Sequence, residues 1–190
     1  MNKKLFRLQE TGGFVATVIL TLFLWSVYHL TGRTLPGALF GAVNLSIWEQ
    51  VKPMLLGYIL YGLAEITTSR PFFRQFIVAK FVGLYSILLL YITQRSLLLN
   101  EFDGKINILI AVLSLLVGYL LSYKLTVCDY PLSHLYPTAC FMILILFILS
   151  FTFTAFPPKG LLFIDPVTNL YGIVPDYIDV GAIILNNMYF

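Results

Sequence analysis

Apolar residues run along this chain in long uninterrupted blocks, and polar and charged side chains collect between them. That is the pattern of a protein whose solvent is lipid. Residues 13–30, 54–68, 76–93, 106–123 and 138–156 each approach or exceed the ~18 nearly uncharged residues of a spanning helix. They predict an all-α polytopic membrane bundle of about five transmembrane helices.

The connections are unequal. The first span ends in Trp25, Tyr28 and His29, side chains suited to a membrane interface. Residues 35–43 are apolar but too short to cross, so the stretch 35–50 is expected to be re-entrant or interfacial. Arg70, Pro71 and Arg74 form a short loop. Arg95, Asn100, Glu101, Asp103, Gly104 and Lys105 form a polar run expected to be solvated, and Lys124, Cys128, Asp129, Pro131 and Pro137 make up the last connection. Beyond it, residues 1–156 read as a membrane domain and 157–190 as a tail punctuated by Pro157-Pro158, Asp165-Pro166, Tyr171-Gly172 and Pro175-Asp176. The tail is expected to be irregular, facing water or folded over the helix ends, and residues 180–185 are too few to span.

Composition agrees with the pattern. The chain has 190 residues, 59% hydrophobic and 11% charged, too apolar for an ordinary soluble domain. Its net charge of +3 comes from scattered basic residues, which give nucleic acid no continuous stripe to bind. The two cysteines, Cys128 and Cys140, match no CxxC or Cys/His zinc spacing and read as ordinary thiols. Lys3, Lys4 and Arg7 precede a first span that is long and lacks a small-x-small cleavage site, so it is read as a membrane helix. Placing the N-terminus in the cytoplasm puts Lys3, Lys4, Arg7, Arg70, Arg74, Lys80 and Lys124 inside, with Arg33, Lys52, Arg95, Lys105 and Lys159 outside. Five crossings then leave the C-terminus outside the cell membrane.

Candidate chemistry gathers at that outer end. Ser46 and Glu49 have capping-box spacing, with the Ser46 hydroxyl expected on the Glu49 amide and the Glu49 carboxylate on the Ser46 amide. Lys52 is expected to snorkel, Trp48 to sit in the interfacial belt, and Pro53 to kink or break the helix. Beyond structure, Asn44, Glu49 and Lys52 supply an amide, a carboxylate and an ammonium, and His29 is the one imidazole on that side. A carboxylate with an imidazole can do acid–base work, and an ammonium can hold an anionic head group. Asp165 reads as the opening of a type I turn or as a ligand group, and Asp176 likewise. No metal or cofactor motif is present. Glu65 and Lys80 have matching depths on successive helices and predict a salt bridge rather than a proton relay. His134 is assigned an ordinary loop role.

The block Asn44-x-Ser46-x-Trp48-Glu49-x-x-Lys52, with His29 before it and Pro157-Pro158-x-x-x-Leu162-Phe163-x-Asp165-Pro166 and Tyr171-Gly172-Ile173 after it, resembles an uncharacterised family of small bacterial multispanning membrane proteins. That family's first block reads Val-Asn-Glu-Ser-x-Trp-Glu-His-x-Lys, and this chain departs from it at Leu45 and Gln50. The resemblance implies a shared fold and an outer-face site made of His29, Asn44, Trp48, Glu49, Lys52, Asp165 and Tyr171. It also implies a site short of one carboxylate and one imidazole. A ligand-binding or transport-associated protein for a small polar or lipid-linked molecule is the first expectation. A hydrolase or transferase acting on an outer-leaflet lipid or isoprenoid-linked substrate is the second. The third is a non-catalytic scaffold for another membrane protein, using Gly57, Gly62, Gly83 and Gly118 for close helix approach.

Overall fold

The structure is a computed structural model that describes residues 3–67, 73–98, 104–127 and 132–173. Arg70, Pro71, Asn100, Glu101, Asp103, Cys128, Asp129, Pro131, Pro175, Asp176 and the 180–185 stretch lie outside the described residues. Six α-helices make up the described fold: α1 Lys3–Leu30, α2 Leu35–Phe40, α3 Ile47–Ile66, α4 Phe73–Leu97, α5 Gly104–Val127 and α6 Tyr136–Ala155. A 3-10 turn, Leu132–Leu135, leads into α6 and carries the exposed His134.

Each boundary has a local cause. Helix α1 stops where Gly32 and Arg33 turn left-handed, at φ 65° and 61°, so that Gly32 and Arg33 donate back to the His29 and Tyr28 carbonyls. The Thr34 hydroxyl then caps α2 by accepting from Gly37, with Pro36 in its first turn, where a missing N–H costs nothing. Six residues rise only about 9 Å, so α2 cannot cross a membrane. It lies instead beside α1 and α6, with Ala38 against Tyr28 and Val43 and the Phe40 ring 5.7 Å from Phe151.

Four helices are long and apolar enough to cross a membrane: Phe6–Leu30, Phe73–Leu97, Gly104–Val127 and Ser133–Ala155. The protein is therefore a multi-pass helical membrane protein with four such spans, where the sequence pattern predicts about five. The helix that falls short is α3, expected to span over residues 54–68. Glu49, Lys52 and Glu65 lower its hydropathy, and it tolerates them because it is enclosed by its neighbours. Every residue from Ile47 to Tyr58 is buried, on all faces of the helix. Pro53 sits inside α3 without breaking it.

Helix α3 runs antiparallel along α1. Trp25 Nε1 donates to the Gln50 carbonyl at one end (2.9 Å), Gly57 meets Thr17 and Thr21 midway, and the Tyr61 hydroxyl donates to the Gln9 carbonyl at the other (3.1 Å). On its other side lies α4, and α4 meets α5 where Gly83 and Gly118 face each other: a Cβ on Gly118 would stand 2.9 Å from the Gly83 carbonyl oxygen. Gly57, Gly83 and Gly118 thus serve contacts within the bundle, while Gly62 has open space beside it.

The interior combines a core of large apolar side chains, such as Met54, Leu55 and Ile87, with small and polar groups. Helix α5 buries Asn107, Ala111, Ser114, Gly118 and Ser122 along one face and exposes Leu109, Leu113, Leu116 and Leu120. Helix α6 buries Ser150 and Thr154 and exposes Leu144, Phe147 and Ile148. On these two helices the outward faces give lipid large apolar groups, and the inward faces set small and polar groups beside Ile110, Leu115, Tyr119 and Leu146.

Candidate functional site

Helix α3 begins at Ile47 because Ser46 caps it, its hydroxyl accepting from the Glu49 amide at 3.3 Å. Only this half of the expected capping box forms. The Ser46 amide donates to Asn44 Oδ1 instead, at 2.9 Å, which leaves the Glu49 carboxylate free for other partners. Glu49 Oε2 accepts from the Val43 amide at 3.2 Å and from Lys52 Nζ at 2.7 Å, and Glu49 Oε1 accepts from the Thr154 hydroxyl at 2.7 Å.

Lys52 does not snorkel. Its side chain is 0% exposed, and its ammonium donates to Glu49, to Thr154 Oγ1 at 2.7 Å and to the Ala38 carbonyl at 2.9 Å. Three acceptors match the three N–H bonds of an ammonium, so burial leaves none unmade. The overruling factor is α2 and α6, which cover the helix start and supply oxygens where water was expected.

Trp48 is likewise buried rather than interfacial, its ring 5.1 Å from Phe153 and 5.6 Å from Phe163. Its amide donates to the Leu162 carbonyl at 3.0 Å, and Asn44 Nδ2 donates to the Gly172 carbonyl at 2.7 Å. The described part of the tail, residues 157–173, is therefore laid over the start of α3, and sequence stretches more than a hundred residues apart converge there. Between them lies a narrow crevice lined by Asn44, Ser46, Trp48, Glu49, Phe153 and Phe163, among others, too tight in this conformation for a molecule of ligand size. The Trp48 indole N–H, buried, has no acceptor among the described residues.

Asp165 opens a turn as its sequence context predicts. Its Oδ1 accepts from the Val167 amide at 2.8 Å, while Ile164 and Tyr171 pair as an isolated antiparallel bridge. The residue is 0% exposed, and its Oδ2 has no hydrogen-bond partner among the described residues. Tyr171 is partly exposed on this small hairpin. His29 is half-buried on α1 with its ring edge-on to Tyr28, and neither it, Asp165 nor Tyr171 lines the crevice. Among the described residues no three of His, Cys, Asp and Glu converge as a metal site would require.

Behind the site runs a second polar layer. The Tyr91 hydroxyl lies 2.8 Å from Gln50 Oε1 and 2.6 Å from Asn107 Oδ1. A hydroxyl has one proton, so one of the two amides must turn its nitrogen to donate. Arg95, expected in a solvated connection, is buried near this layer because α4 continues to Leu97. Lys105 is exposed as expected, and the Cys140 thiol on α6 is free.

At the opposite end the predicted Glu65–Lys80 salt bridge is present at 2.7 Å. The sequence reading missed its third member, Glu10, whose carboxylate lies 2.9 Å from the same ammonium and accepts from the Ser122 hydroxyl at 3.2 Å. Thr154 was missed as well. Glu10 shares a face of α1 with buried Thr17 and Thr21, and Thr154 shares one of α6 with Ser150, so polar spacing inside the spans was the available signal.

Comparison with curated proteins and with solved structures returns no match. A family model described as a family of unknown function, DUF6512, matches residues 11–173, which takes in α1 from Thr11 onward, helices α2 to α6, the cluster at the start of α3 and the described part of the tail that covers it. The chain belongs to this family of unknown function.

Proposed function

We propose that this chain is a binding or transport-associated membrane protein whose ligand, a small polar or lipid-linked molecule, is held where the tail covers the start of α3. The observation that carries the reading is the buried Trp48 indole N–H, which has no acceptor among the described residues and borders a crevice of mixed character. Asn44, Ser46 and Glu49 give that crevice hydrogen-bonding groups, while Phe153, Pro157 and Phe163 give it an apolar wall. Such a lining suits a molecule with one polar and one apolar part. Entry requires the tail to lift, and two bonds to it, from Trp48 to Leu162 and from Asn44 to Gly172, are the ones to be exchanged.

Binding has better support than catalysis. Glu49 has both oxygens engaged and Lys52 all three protons, so neither is free to act as base or nucleophile. The glycines proposed for docking another membrane protein are taken up by internal helix contacts at Gly57, Gly83 and Gly118. The same proposal takes the 44–52 block and the 157–173 tail as a paired signature, in a bacterial cell membrane, with the N-terminus in the cytoplasm and the tail outside.

Native mass spectrometry of protein extracted with its own lipids tests the reading. The wild type is expected to carry a defined adduct that Trp48→Phe, which keeps an aromatic ring and removes the N–H, loses. An identical lipid complement in both proteins overturns it.

A further inference from the structure

The crevice over the start of α3 is one-sided in its hydrogen bonding. The Trp48 Nε1–H has no acceptor among the described residues. The Ser46 hydroxyl accepts from the Glu49 amide, and its own proton meets no acceptor among them. The Asn44 amide is fixed in one orientation, its oxygen accepting from the Ser46 amide and one N–H donating to the Gly172 carbonyl, so its second N–H is unused as well. Trp48, Ser46 and Asn44 all line the crevice and are 6%, 1% and 2% exposed. The acceptor beside them is already engaged: the Glu49 carboxylate takes the Val43 amide, the Lys52 ammonium and the Thr154 hydroxyl. Unpaired buried donors are unfavourable, and three on one lining fit a ligand group that offers oxygen lone pairs and no proton.

Charge and depth narrow that group. Glu49 is the charged residue on the lining, and Lys52 behind it gives its protons to Glu49, Thr154 and Ala38. An oxyanion there would meet a carboxylate and no free cation, so a neutral oxygen fits better. Phe153, on the crevice wall, lies in the last turn of the Ser133–Ala155 span, which sets the crevice at the edge of the hydrocarbon layer. In a phospholipid bilayer that is the depth of the glycerol ester carbonyls, with the phosphates farther out. We propose that the ligand is a membrane glycerolipid held by an ester carbonyl, an assignment that rests on the crevice being the binding site argued above. The carbonyl oxygen has two lone pairs and takes two of the three donors, while Phe153, Pro157 and Phe163 receive the acyl chain joined to it. Glu49 and Lys52 keep their partners, and entry still requires the cover to lift.

Native mass spectrometry of the delipidated full chain tests the assignment, with phosphatidylethanolamine and phosphatidylglycerol each supplied as the diacyl ester and as the dialkyl ether of equal chain length. The ether keeps headgroup, phosphate and chains and lacks only the carbonyls. The wild type is expected to bind the ester of at least one headgroup at least about tenfold more tightly than its ether. Trp48→Phe and Ser46→Ala are each expected to reduce that preference about fivefold and to leave ether binding unchanged. The wild-type comparison stands by itself should Ser46→Ala, which also removes the cap of α3, fail to fold. Equal binding of ester and ether overturns the carbonyl assignment, and if Trp48→Phe then weakens both, the crevice still binds lipid through a headgroup oxygen. An ester preference unchanged in folded Trp48→Phe, or no binding of either lipid in either form, overturns it as well. Identical native lipids on wild type and Trp48→Phe would take the crevice reading down with it.

Discussion

Lys52 Nζ and Thr154 Oγ1 lie 2.7 Å apart across 102 positions of sequence, and the same hydroxyl donates to Glu49 Oε1. Thr154 therefore serves both halves of a buried ion pair, accepting from one and donating to the other. Thr154→Val keeps the shape and removes the hydroxyl, leaving a buried donor and a buried acceptor each one bond short. The expected loss is about 1–3 kcal/mol, measured by denaturation in detergent, and Thr154→Ser should recover most of it. Equal stability of the Val and Ser variants would show that the bond contributes nothing.

Breaking the ion pair itself should cost more. Lys52→Met strands the Glu49 carboxylate with the Val43 amide and Thr154 hydroxyl as its remaining partners, and the expected penalty is about 3–5 kcal/mol. Glu49→Gln in the same chain removes the stranded charge and should restore part of the loss. A double-mutant cycle in which the two effects simply add would contradict the coupling seen in the geometry.

The cluster at the other end predicts a sharper contrast. Lys80→Met leaves two carboxylates facing each other without their cation, so little folded protein is expected to accumulate. Adding Glu10→Gln and Glu65→Gln should bring folded yield back, judged by size-exclusion profile. A triple variant no better than Lys80→Met would mean that the Lys80 side chain matters for its shape rather than its charge.

Asn44→Ala removes the side-chain bond to the Gly172 carbonyl. The tail then keeps its contact at Leu162 but loses its anchor beyond the hairpin. Faster cleavage between residues 157 and 173 by a dilute protease is expected, with the helices left intact. An unchanged cleavage rate would place the anchoring of the tail elsewhere.

Much of the fold could be read from the chain, because long apolar blocks have one stable solution in lipid. What misled was the assumption that charge marks a boundary. Arg95 sits just after the third apolar block and reads as solvated until α4 is seen to extend past it, while Glu10, just before the first block, drew no reading although α1 carries it into the interior. Lys52 read as a snorkelling residue because its partners, Ala38 and Thr154, are contributed by other helices and leave no local trace. The Ser46 cap was legible because it is local. Asn44 took the other half of the capping box because its carbonyl oxygen is two residues from the Ser46 amide, a shorter reach than Glu49 has. Gln50, where the resembling block has His, is a buried hydrogen-bond partner of Tyr91, so that position belongs to the layer behind the crevice.

The enclosure of α3 bears on how the chain is built. A segment carrying Glu49, Lys52 and Glu65 is a poor candidate to enter lipid unaided, and Thr154, one of the groups that makes Lys52 tolerable there, lies in α6, the last of the described helices. Until α6 emerges, the early helices hold an ammonium short of an acceptor. Stable insertion of α3 is therefore expected to depend on α6, and truncation before α6 should expose the nascent protein to membrane quality control.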